Sequence, residues 1–83
     1  MQQRAVGVVA IIVKKRTAAA PEVNRVLTEF GEIILGRMGI PSAGRDLHII
    51  TLIVDATTDE IGALTGKLGM IADVTVKSTL AKM

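Results

Sequence analysis

Cysteine, tryptophan and tyrosine are absent from this chain, and phenylalanine occurs once, at Phe30. Without cysteine there are no disulfide staples, no thiol catalysis and no thiolate ligands for zinc or an iron–sulfur cluster. One aromatic ring cannot form the stacking platform of a single-strand or RNA reader. Excess charge is also scarce: ten Lys and Arg stand against eight Asp and Glu, a net +2. The pI near 9.4 thus records a small imbalance and not a polycationic surface. Nor is there a long apolar run. The longest, Ala5 to Val13, covers nine residues, well short of the roughly 18–20 that span a bilayer as a helix.

What is present is apolar bulk: 49% of the 83 residues are hydrophobic, with a mean hydropathy of +0.49. The length predicts one domain over 1–83. A domain of this size hides only about 60–65% of its unfolded surface, so so apolar a composition predicts self-association. A secretory signal would need the charged stretch Lys14-Lys15-Arg16, which lies between the apolar run and Ala18-Ala19-Ala20, to be tolerated next to a cleavage site. Cleavage there would also discard the best strand. A cytoplasmic location is the expectation.

Residues 4–13 read as a strand apolar at odd and even positions alike, as where both faces of a sheet are covered. Lys14-Lys15-Arg16-Thr17 ends it in solvent. Pro21 suits a helix start, with Glu22 near the positive end of the dipole. Val23, Val26, Leu27 and Phe30 then form one stripe at i, i+3, i+4, i+7, and Gly31 reads as a left-handed cap. Residues 33–40 read as a glycine-loosened strand, Pro41 to Asp46 as a turn, and Leu47 to Val54 as a strand rich in branched residues. Thr57 and Glu60 have capping-box spacing before Ile61, Leu64 and Leu68, with Gly69 as a second expected cap. Val74 and Val76 alternate with Thr75 and Lys77 in a last strand with one wet face. The order strand, helix, strand, strand, helix, strand predicts an α+β, ferredoxin-like βαββαβ sandwich: a four-stranded antiparallel sheet with two helices on one face. The first and third strands fall in the middle, the second and fourth at the edges.

With both helices on one face, the other face of the sheet stays open, and a monomer should alternate apolar and polar on its central strands. This chain does not. Val6, Val8, Ala10 and Ile12 point one way, and Ala5, Val9, Ile11 and Val13 the other; Ile50, Leu52 and Val54 oppose Leu47, Ile49 and Ile53. An exposed apolar patch of that extent marks a partner surface. A homo-oligomer, dimer or tetramer, is expected, and lysine at Ile50 or Leu52 should dissociate or unfold it. The sequence does not assign which face meets the partner.

Residue chemistry is sparse. His48 is the only histidine, and Asp46, two residues earlier, would share its face if both lay on a strand. One chain offers too few ligands for a closed metal site, so no metal and no cofactor are expected, although symmetric copies could complete a shell. The most individual stretch is Gly36-Arg37-Met38-Gly39-Ile40-Pro41. Its glycines permit a bulge or close backbone approach. Arg37 carries a fork for a carboxylate or phosphate, and Met38 offers an adaptable apolar wall. Gly36, Arg37, Met38, Gly39 and His48 are the candidate ligand or partner residues, against the plainer reading of Arg37 as an edge-strand guard. Gly62, Gly66, Gly69 and Lys67 lack the strand–turn and Lys-Ser/Thr ending of a phosphate loop. Asp55, Asp59, Glu60 and Asp73 form no catalytic carboxylate pair, so no catalytic residue is expected.

In GEIILGRMGIP at 31–41, LHIITLIVDA at 47–56, IGALTGKLG at 61–69 and VTVK at 74–77, the chain resembles the small ACT-like proteins known as iron-only hydrogenase system regulators. These are themselves similar to the C-terminal domain of the nickel-responsive transcription regulator. The resemblance implies a single ACT-like regulatory domain that oligomerises, senses a small-molecule effector or binds a protein partner, and acts on transcription without a DNA-binding head of its own. It is not expected to be an enzyme, to contact nucleic acid directly or to bind a membrane. The alternatives are a small enzyme of the same topology, as in acylphosphatases, and a metal-binding module. The first needs a phosphate-cradling loop with an Arg after the first strand and a water-orienting Asn; Arg16 could serve, but Asn24 is the only Asn and the Gly-rich cradle is absent.

Overall fold

Strict alternation of burial runs along the first strand, β1 (Ala5–Lys14), where Gly7, Val9, Ile11 and Val13 are buried and the residues between them face solvent. The computed structural model describes residues 3–42 and 44–81. After β1 come α1 (Arg16–Glu29), a 3-10 turn at Gly31–Ile33, and β2 (Ile34–Ser42). Then follow β3 (Leu47–Ala56), α2 (Thr58–Gly69) and β4 (Val74–Leu80). The strands form one sheet in the order β2-β3-β1-β4, antiparallel throughout, with β1 and β3 central as the apolar runs require. This is the ferredoxin-like βαββαβ sandwich.

One apolar layer joins sheet and helices. Val9, Ile11, Val13, Ile50, Leu52 and Val54 from the central strands meet Val23, Val26 and Leu27 of α1 and Ile61, Leu64 and Leu68 of α2. No polar or charged residue is buried among the described residues. Ile50 and Leu52 thus belong to the face beneath the helices. Lysine at either would place a charge in the core rather than at a partner surface.

Several local expectations fail for identifiable reasons. The first helix begins at Arg16, not at Pro21, because Lys15 alone turns the chain from strand to helix in the left-handed region (φ 52, ψ 57). Ala18 to Ala20, strong helix formers, fill its opening turn, and Pro21 lies inside the helix on its exposed side, where it forgoes one backbone hydrogen bond. Gly31 and Gly69 are not left-handed caps; Gly44 (φ 85) is the only described glycine with positive φ. After α1 the chain runs through Phe30 into the 3-10 turn, and after α2 the reversal falls on Asp73 (φ 66). Pro41 and Ser42 extend β2 rather than opening the turn. Ala43 of that turn, and the side chain of Arg16, lie outside the described residues. The capping box stands as read: the Thr57 hydroxyl accepts from the Glu60 amide at 3.1 Å, and the Thr57 amide donates to Glu60 Oε1 at 2.8 Å.

The face of the sheet away from the helices is apolar and open. Val6, Val8, Ile12, Ile49 and Ile53 are each 37–41% exposed, and Met38 and Ile40 on β2 more than half. Thr75, Lys77 and Thr79 line the β4 side of this face opposite Ile12, Ala10 and Val8, Thr51 lies in the middle of β3, and Lys14, Ser42 and Asp55 lie toward the strand ends.

Candidate functional site

β2 carries the distinctive segment, and its pairing decides what the segment can do. Between Ile34 and Gly36 the register with β3 shifts by one residue, so that Leu35 is the extra residue of a bulge. Beyond it Gly36 stands opposite Ile53, Arg37 opposite Leu52, Met38 opposite Thr51, Gly39 opposite Ile50 and Pro41 opposite His48. Alternation sends Arg37, Gly39 and His48 to the helix side of the ribbon and Gly36 and Met38 to the open face. The five candidate residues therefore do not converge on one point.

On the helix side the parts are specific. The Arg37 guanidinium reaches across to α1 and donates to Asn24 Oδ1 at 3.4 Å. The half-buried His48 ring lies over Gly39, where a Cβ would come within 2.7 Å of Nε2. A methyl group at this position would push the imidazole aside, and none of its nearest contacts would be a backbone atom. Asp46 sits in the turn with φ 51, off the strand, so the shared face expected for Asp46 and His48 does not form. No group of three or more His, Asp or Glu is clustered for a metal ion among the described residues.

A second feature was not legible in the sequence. Between α1 and the end of α2 lies a groove of about 640 Å³. Ala18, Ala19, Glu22 and Arg25 form its α1 wall, and Lys67, Met70, Ile71 and Asp73 the other. Small alanines leave the space unfilled, and Met70 projects from the rim 86% exposed. Its charges are pre-arranged: Arg25 donates to Glu22 Oε2 at 3.0 Å, which raises the guanidinium's pKa, while Lys67 pairs with Glu29 and lies 5.6 Å from the Phe30 ring. An alanine run after a strand and a Met-Ile-Ala after a helix carry no chemical signature, so only packing shows the groove.

At the far end, Arg4 bridges Asp55 (3.2 Å) and Glu60 (3.1 Å), tying β3 to the first turn of α2. Glu60 is held below the usual carboxylate range chiefly by the Thr57 amide, with Arg4 adding to it. These charges serve the capping box and stand apart from the groove and the ribbon.

A family model for TM1266-like proteins, iron-only hydrogenase system regulators, matches residues 5–78, which hold both helices and all but the last two residues of the sheet. The chain belongs to the TM1266-like family. Protein TM1266 from Thermotoga maritima is 39% identical, with 96% of this chain and 100% of that one covered and a TM-score of 0.92. The ACT domain from the GTP pyrophosphokinase of Chlorobium tepidum is 16% identical over 93% of this chain and 100% of that one, TM-score 0.77. SnoaB, a cofactor-independent oxygenase from Streptomyces nogalater, is 11% identical over 98% and 93%, TM-score 0.59. The last two likenesses speak for the fold alone, which occurs both in an ACT domain and in an oxygenase. No curated protein matches the sequence. No described helix of this TM1266-like chain is long and apolar enough to cross a membrane.

Proposed function

We propose that this TM1266-like chain is a cytoplasmic, homo-oligomeric regulatory module that senses a small-molecule effector and passes its state to a protein partner. It has no catalysis and no direct contact with DNA or membrane. The observation that carries the effector half is the groove between α1 and the α2–β4 turn, concave, mostly apolar, and edged by both signs of charge. A ligand seated there would touch Arg25 on α1 and Lys67 on α2 together and so fix the spacing of two helices that share the core. Differential affinity for two spacings is what a sensor requires. For the partner half, Arg37, Gly39 and His48 offer a charge-assisted fork beside a flat backbone, suited to an acidic side chain of another protein. The small net charge and single aromatic ring support action through that protein rather than on DNA.

Calorimetric titration with amino acids, nucleotides and divalent metal ions tests the effector half. Saturable binding is expected from one class, lost in Ala18→Leu and Ala72→Leu, which fill the groove from opposite walls. Binding that persists in both removes the groove; no binding from any class removes the sensor. For the partner half, Arg37→Lys keeps the charge and loses the fork, so affinity for the partner should fall roughly tenfold with the fold unchanged. Equal affinities would take this segment out of the site.

A further inference from the structure

We infer that the open face of the sheet is covered by the same face of a second copy, in a two-fold sandwich of sheets. This rests on the self-associating reading above and assigns it a surface. Three rows of side chains cross the face. One is tall throughout: Ile12, Ile49 and Ile40, paired in register. The middle row dips at Ala10 and Thr51, and the third, Val8 and Ile53, ends at Gly36, where a Cβ would meet nothing within 4 Å. A two-fold axis near the middle row sets the tall row of each copy over the low row of the other, so Ile40 of one has room above Gly36 of its partner. Such a patch is self-complementary, as an isologous contact must be.

The size fits as well. The exposed aliphatic side chains leave roughly 600 Å² in solvent, the upper end of what a monomer ordinarily exposes in one patch, and a symmetric pair would remove about 1,200 Å², the lower edge of specific interfaces. Away from the Arg4 cluster the charges on the strands' open side are Lys14, at the end of β1, and Lys77, at the β4 rim, both placed where the ammonium stays in water. Gly36 and Met38 thus belong to the interface, while Arg37 and Gly39 of β2 and His48 of β3 lie on the helix side of the sheet.

Sedimentation equilibrium at micromolar concentration tests the assignment. Wild type should run at twice 8.8 kDa. Ile53→Lys should be monomeric with an unchanged circular dichroism spectrum, and Met70→Lys, on the helix side, should remain a dimer. Gly36→Leu adds bulk that clashes with nothing in its own protomer, and should raise the dissociation constant at least tenfold even if Ile53→Lys fails to fold. A monomeric wild type, adsorption of that monomer to lipid vesicles, or a dimer unaffected by Gly36→Leu overturns the interface. So does a folded Ile53→Lys that stays dimeric, which would point to pairing at a sheet edge. Effector binding is read separately: a monomer that still binds effector removes this interface alone, and a dimer that binds none removes only the groove.

Discussion

Gly7 is where an added methyl group should do most damage. It lies near the start of β1, paired with Val54 on one side and Leu80 on the other. A Cβ built there overlaps the Thr79 carbonyl oxygen and Leu80 Cδ2, and falls 3.2 Å from Leu80 Cα. The leucine tip could swing away; the carbonyl cannot without moving the end of β4. That movement gives up the Gly7–Leu80 pairing and the hydrogen bond from the Ala81 amide to the Val6 carbonyl, 2.9 Å long. Forced overpacking costs about 1–3 kcal/mol, and one or two lost backbone hydrogen bonds about 1–2 kcal/mol. The stiffer unfolded chain returns about 0.5–1 kcal/mol. Gly7→Ala should therefore destabilise by about 1–4.5 kcal/mol, a fall in Tm on the order of 5–30 °C for a domain this small. Urea denaturation followed at 222 nm, at one fixed protein concentration, measures it. Gly62→Ala on exposed α2, where a Cβ meets nothing within 4 Å, is the control and should gain about 0.5–1 kcal/mol. A Gly7→Ala midpoint within about 0.5 kcal/mol of wild type would refute the close β1–β4 approach.

Leu52 is fully buried beneath the helices, so Leu52→Lys should abolish the cooperative unfolding transition, and Leu52→Ala should cost about 2–5 kcal/mol in the same denaturation assay. Thr57→Ala removes the acceptor for the Glu60 amide and should lower stability by about 0.5–2 kcal/mol, with helix content falling mainly from α2. Glu60, depressed below its ordinary value, contributes stability that is complete above about pH 4.3 and lost as pH falls toward its lower folded value. Thermal melts from pH 6 to pH 3 should show this acid limb shallower in Glu60→Gln; an identical slope would mean the Thr57 amide does not favour the carboxylate.

Periodicity and composition alone determine the element order, the central place of β1 and β3, the α2 capping box and the apolar character of both sheet faces. Those are local properties. Side chains alternate along a strand, repeat every three to four residues along a helix, and Thr and Glu at three-residue spacing cap their own turn, whatever lies elsewhere. The start of α1 was harder to read because a proline near a helix start is common, while a lysine in the left-handed region carries no mark of its own. Tertiary structure decided the rest. Whether Ile50 and Leu52, or Ile49 and Ile53, lie beneath the helices depends on which way the crossovers fold, and both sets are equally apolar. That Gly39 serves the His48 ring and Gly7 the β4 carbonyl depends on pairing across tens of residues. The β2 bulge decides which of the alternating site candidates face the helices and which the open side, and the groove between the helices is a space left by small residues. A space left between elements far apart in the chain has no residue pattern to announce it; it exists only once the elements around it are packed.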